Sequence, residues 1–119
     1  MHKLPQNFDG QFMIGKTVET ICFAAYQVNI YLSEKIWIQV EGRYKFFSGN
    51  SALEAVDAFP ISQSLLLQLI QKKIVTVSFL PQNGNAEIVF ESGHRLLIDG
   101  DIGPYESYRI FDGKNEIVV

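Results

Sequence analysis

Ile14-Gly-Lys-Thr-Val-Glu-Thr-Ile-Cys-Phe23 is answered 56 positions later by Ile70-Gln-Lys-Lys-Ile-Val-Thr-Val-Ser-Phe79. The isoleucine, lysine, second threonine and phenylalanine recur in place. A two-residue insertion near Pro81 shifts the offset to 58. Val28-Asn-Ile-Tyr-Leu32 then matches Ala86-Glu-Ile-Val-Phe90, and Ile38-Gln-Val-Glu-Gly42 matches Leu96-Leu-Ile-Asp-Gly100. Two offsets that each hold over several residues point to one module present twice.

Each copy reads as an antiparallel β-meander. Residues 17–23, 28–32 and 36–40 are rich in Val, Ile, Tyr and Trp, the types that suit a half-buried pleated surface. Ile74–Leu80, Glu87–Phe90 and Arg95–Ile98 are their counterparts. Asn83-Gly84 offers the positive φ of a hairpin turn. Tyr105–Phe111 and Glu116–Val119 form a last hairpin about Asp112-Gly113.

Between the copies the pattern predicts helix. Ser51-Ala-Leu-Glu54 has capping-box spacing, and Pro60 ends the short helix it would open. Ile61–Lys72 would be a second helix, too apolar for one exposed stripe, with Lys72 and Lys73 at its cation-favouring end. The predicted class is therefore α+β: two duplicated antiparallel meanders, sandwich-like or partly closed, with one or two helices between them. The 119 residues form one domain, with pseudo-repeats at about 14–47 and 70–111 joined by helical segment 51–72.

A chain that is 47% hydrophobic and 19% charged packs a core rather than staying disordered. Cys22 is the single cysteine, so no disulfide forms within the chain. MHKLPQNFDG has no apolar signal region, and no apolar run nears the roughly 18 residues that span a bilayer. The predicted location is the cytoplasm, without membrane contact.

The net charge of -3 is unevenly spread. Residues 1–50 sum to +1, residues 51–86 to 0, and residues 87–119 to -4. An acidic region repels nucleic acid and attracts basic partners.

No reaction centre is legible. His2 and His94 have no second ligand at metal spacing. Cys22 sits in a strand beside nothing that would activate it. Ser92 and His94 are close in sequence, but in a turn their side chains are expected to diverge. Asp99 and Asp101 flank Gly100 without continuing as a calcium loop, and turn formation accounts for both. There is no Gly-x-Ser-x-Gly elbow, phosphate-binding glycine loop or run of basic-aromatic clusters. Arg43-Tyr-Lys-Phe-Phe47 is the one such cluster, and it reads as the end of a strand. The prediction is a non-enzyme with no cofactor and no metal.

The stretch Leu97-Ile-Asp-Gly-Asp-Ile-Gly-Pro-Tyr-Glu-Ser-Tyr-Arg-Ile110 reads as strand, loop and strand. Tyrosine beside acid is a docking composition, with rigid apolar area from the ring and steering from the carboxylate. Gly93-His-Arg-Leu-Leu-Ile98 followed by Pro104-Tyr-Glu-Ser-Tyr-Arg-Ile110 resembles small bacterial domains that include immunity proteins of polymorphic-toxin and contact-dependent growth-inhibition systems. The resemblance covers residues 74–111. It implies a cytoplasmic, non-enzymatic role in which the chain binds one cognate toxin domain, often a basic nuclease, and blocks its active site. It carries over no binding residues.

Charge and exposure nominate Glu87, Glu91, Asp99, Asp101, Tyr105 and Glu106 as the partner-binding surface. The partner would be a toxin domain, and the chain a monomer or weak dimer. The alternative is a small ligand-binding or accessory domain.

Overall fold

The computed structural model describes residues 10–80, 83–100 and 107–119. Its strands are β1 (Val18–Phe23), β2 (Val28–Leu32), β3 (Trp37–Val40), β4 (Tyr44–Ser48), β5 (Ser51–Val56), β6 (Ile74–Phe79), β7 (Ala86–Phe90), β8 (His94–Ile98), β9 (Tyr108–Phe111) and β10 (Glu116–Val118). They build two antiparallel five-stranded sheets, ordered β1-β2-β3-β9-β10 and β5-β4-β8-β7-β6. Each sheet is the meander of one half of the chain extended by the hairpin of the other half. The β9–β10 hairpin adds to β3, and the β4–β5 hairpin adds to β8.

The two halves make matching backbone bonds. Gly15 N–H donates to the Ile74 carbonyl at 2.8 Å, and Gln71 N–H donates to the Val18 carbonyl at the same distance. Val18 N–H to Lys72 is answered by Ile74 N–H to Lys16, and Ser33 N–H to Thr17 by Glu91 N–H to Lys73. Thr17 and Lys73 pair with each other in an isolated bridge where the sheets meet. The register of β1 on β2 slips between Val18 and Thr20, and that of β6 on β7 between Ile74 and Thr76.

Inward positions alternate along the strands. Val28, Ile30 and Leu32, Ile38 and Val40, Ile88 and Phe90, and Leu96 and Ile98 meet Tyr44, Phe46, Tyr108 and Ile110 in one core. Burying a side chain the size of Phe46 contributes about 2 kcal/mol, and the period of two hands each strand's apolar set to the same side.

The expected helices are absent among the described residues, which overturns the α+β class and the helical linker 51–72. The described residues are all-β with short 3-10 turns at Gln11–Met13, Ser33–Lys35 and Leu66–Leu69. Ser51–Val56 is strand β5, paired with β4. Glu54 does not cap a helix of its own. Its carboxylate accepts the Tyr44 hydroxyl at 3.0 Å, the Ser64 hydroxyl at 2.7 Å and the Leu65 N–H at 2.9 Å. The acid that resembled a capping residue instead anchors the loop that follows its own strand.

In the apolar run that follows, only Leu66 and Leu69 are buried, a spacing that one 3-10 turn satisfies. Leu65, Leu67 and Ile70 are exposed, so no buried helical stripe exists. No helix is long and apolar enough to cross a membrane, among the described residues.

Candidate protein-docking face

Of the six residues nominated from sequence, Asp101, Tyr105 and Glu106 lie outside the described residues. Glu87 on β7 and Asp99 just past β8 share the outer face of their sheet. Glu91 is exposed at the β7–β8 turn, at the other end of the strands. Glu87 pairs with Arg95 at 3.0 Å, and Arg95 also lies over the Phe47 ring, 4.5 Å from its centroid. Asp99 faces Arg43 at 3.6 Å.

Cross-strand register adds Lys45, opposite Leu97, to this face. Three bases thus accompany Glu87 and Asp99, so the described part of the face is not acidic. Of the other acids of the C-terminal third, the two described ones sit on the other sheet. Glu116 is on β10, and Asp112 accepts Asn115 and Lys114 N–H groups in the β9–β10 turn. These backbone donors, Asn115 first, hold the Asp112 carboxyl below its ordinary value. The described acids of that run are therefore split between the two sheets in space.

The outer face of the β1-β2-β3-β9-β10 sheet shows a grouping that sequence reading missed. Tyr31 stands directly opposite Trp37, and Trp37 opposite Phe111, on three neighbouring strands. Trp37 and Phe111 stack with centroids 5.5 Å apart and planes 17° from parallel. The row ends on Glu116, opposite Phe111. Tyr31 is 38% exposed, and Tyr26 in the adjoining β1–β2 turn is 78% exposed.

One row over lie Asn29, Gln39 and Arg109. Arg109 donates to Glu41 at 3.1 Å and to Glu116 at 3.0 Å. Asn29 Oδ1 is buried there without a hydrogen-bond partner among the described residues. Alternation in β2, β3 and β9 was the available signal for this face. What alternation withheld was which strands are neighbours, because β3 pairs with β9 across 70 residues of chain.

Ser92 and His94 were expected to diverge, but they meet. The Ser92 hydroxyl lies 2.7 Å from His94 Nδ1, and His94 Nε2 lies 3.1 Å from Gln68 Oε1. With the Gln68 carbonyl accepting, Nε2 carries the hydrogen and Nδ1 accepts from Ser92. The imidazole also stacks on Phe46 at 5.4 Å. This order of hydroxyl, imidazole and amide matches a nucleophile and its base, but it sits on an exposed hairpin. A groove of about 390 Å³ lies elsewhere, between Phe23, Leu67 and residues 61–64. Cys22 is exposed on β1. Among the described residues no cluster of side chains could hold a metal ion.

No family model, curated protein or solved structure matches this chain.

Proposed function

We propose that this chain is an immunity protein, a cytoplasmic inhibitor that binds a cognate toxin domain and performs no reaction itself. The observation that carries the reading is the outward row of Tyr31, Trp37 and Phe111 beside Arg109. Tyr, Trp and Arg are the residue types that dominate binding energy when an interface buries them. Aromatic pairs across strands stabilise the sheet itself, and a docking partner would bury the exposed remainder of the row. The row favours this face over the carboxylates nominated from sequence, because Glu87 and Asp99 are already engaged with arginines of their own sheet.

Co-expression tests the reading. Each toxin domain encoded beside this chain in its own genome is expressed with and without it. Restored growth with one toxin is expected, together with loss of rescue by Trp37→Ala at unchanged soluble level. Failure to rescue against every such toxin overturns the proposal.

A small ligand-binding role is the second reading, favoured by the groove at Phe23, Ile61 and Leu67, whose volume of about 390 Å³ falls in the range of small-molecule sites.

A further inference from the structure

The two outer faces carry the same aromatic position with different coverings. Phe47 on β4 and Phe111 on β9 each lie three residues past the tyrosine that opens the strand, and each faces the meander strand of the other half. Opposite Phe47 stands Arg95, with its guanidinium over the ring and its charge met by Glu87 at 3.0 Å. Opposite Phe111 stands Trp37, continued by Tyr31.

Among the described residues no cation lies over Tyr31, Trp37 or Phe111. The carboxylates are nonetheless there. Glu41 and Glu116 both pair with the guanidinium of Arg109, so among the described residues two carboxylates meet one cation at the end of the aromatic row.

We propose that this face takes an arginine-bearing surface of a partner protein, with the guanidinium seated on the aromatic row and turned toward Glu116 and Glu41. The inference rests on the inhibitor reading and names the chemistry its partner must present. Ring quadrupoles attract a cation over their faces, and they favour the planar, weakly hydrated guanidinium over ammonium. The nearby carboxylates supply the bidentate acceptor that guanidinium prefers. The opposite outer face already holds this combination of aromatic ring, arginine and carboxylate within the chain itself. That face is consequently satisfied, and its described residues carry an excess of base. Charge complementarity therefore selects the Tyr31–Trp37–Phe111 face for a basic partner and disfavours the other.

Trp37 is the only tryptophan in the chain, so its fluorescence reports from the face itself. Titration of the purified protein with an arginine homopeptide is expected to give a saturable change in Trp37 emission. A lysine homopeptide should bind more weakly, and a glutamate homopeptide should give no change. Tyr31→Ala and Glu116→Gln should each weaken the arginine-peptide midpoint about fivefold, while Ser78→Ala on the other sheet leaves it unchanged. Circular dichroism of each variant confirms the fold.

The absence of a saturable response, or an equal response to the glutamate peptide, overturns the proposal. So does indifference of the midpoint to both Tyr31→Ala and Glu116→Gln. The growth assay separates the two readings. Rescue without an arginine response leaves the inhibitor role standing and removes this face chemistry. An arginine response without rescue retains the face and removes the toxin.

Discussion

Tyr44 and Tyr108 occupy the same place in the two halves of the chain: each opens the strand that leaves its own meander and joins the other sheet. The residue before each marks the crossing with a carbonyl. Asp99 N–H donates to Arg43, and Glu41 N–H donates to Ser107. Both rings are fully buried, and each hydroxyl ties the crossing strand to a neighbouring segment, β5 for Tyr44 and the β6–β7 turn for Tyr108. Tyr44 reaches Glu54 at 3.0 Å, and Tyr108 reaches the Gly84 carbonyl at 2.6 Å.

The two hydroxyls differ in what their loss would strand. Glu54 keeps Ser64 and Leu65 as donors if Tyr44 becomes phenylalanine, whereas the tyrosine hydroxyl is the side-chain donor to Gly84 O. Tyr108→Phe should therefore cost about 1–3 kcal/mol and Tyr44→Phe about 1 kcal/mol. Urea unfolding of both variants measures the difference, and a larger loss for Tyr44→Phe would contradict it.

Burial pushes both phenols above their ordinary value of 10.0. The neutral form is thereby favoured in the folded chain. Its contribution is intact below the unfolded value and is lost as pH climbs from there toward the raised folded value. Stability should fall steeply above about pH 10, and Tyr108→Phe should flatten that fall. Urea midpoints taken across the alkaline range check it.

Gly100 packs against the Gly84 peptide, and a Cβ at Gly100 would overlap that carbonyl group. The obstacle is backbone on both sides and has no flexible end to yield. Gly100→Ala should cost about 3 kcal/mol, enough to shift the thermal midpoint by several degrees. An unchanged midpoint would mean that the β7 and β8 ends are not in this contact.

Glu54 holds the loop through Ser64 and Leu65, and Ser64 Oγ in turn accepts Leu66 N–H at 3.1 Å. Glu54→Ala should release segment 57–66 without unfolding the sheets. Hydrogen exchange should accelerate at Leu65 and Leu66 while the β7 and β8 amides stay protected.

Gln71 adopts φ 71° at the place where the first half has Gly15 at φ 85°. A side chain there costs about 1 kcal/mol, which glycine avoids. Gln71→Gly should raise stability, read as a higher urea midpoint at constant slope. A lower midpoint would show that the Gln71 side chain contributes more than the backbone conformation costs.

Much of the β-structure was legible because period two is a local property. Val28–Leu32 and Ala86–Phe90 place β2 and β7, since the alternation that buries one face can be read along a strand alone. Ile14–Phe23 and Ile70–Phe79 instead place β1 and β6 by residue type and repetition, because a register slip breaks their alternation. Segment 51–72 misled for a complementary reason. Ser51-Ala-Leu-Glu54 satisfies a local helix rule, yet its backbone pairs with β4 and its acid answers to Ser64 and Leu65, beyond the reach of one helical turn. Tertiary pairing overrode a propensity of a few tenths of a kcal/mol per residue.

The site divides the same way. By itself the sequence determined which residues alternate outward along β2, β3, β7 and β8 and that the acids crowd the last third. Only the tertiary structure decided that β9 crosses to β3 and β4 to β8. That exchange separates the described acids onto two sheets, sets Arg95 over Phe47 and lines up Tyr31, Trp37 and Phe111. Strand neighbours are chosen by long-range hydrogen bonding and shared burial, which a single strand's pattern does not encode. Charge and aromatic patches belong to those neighbours rather than to the order of the chain.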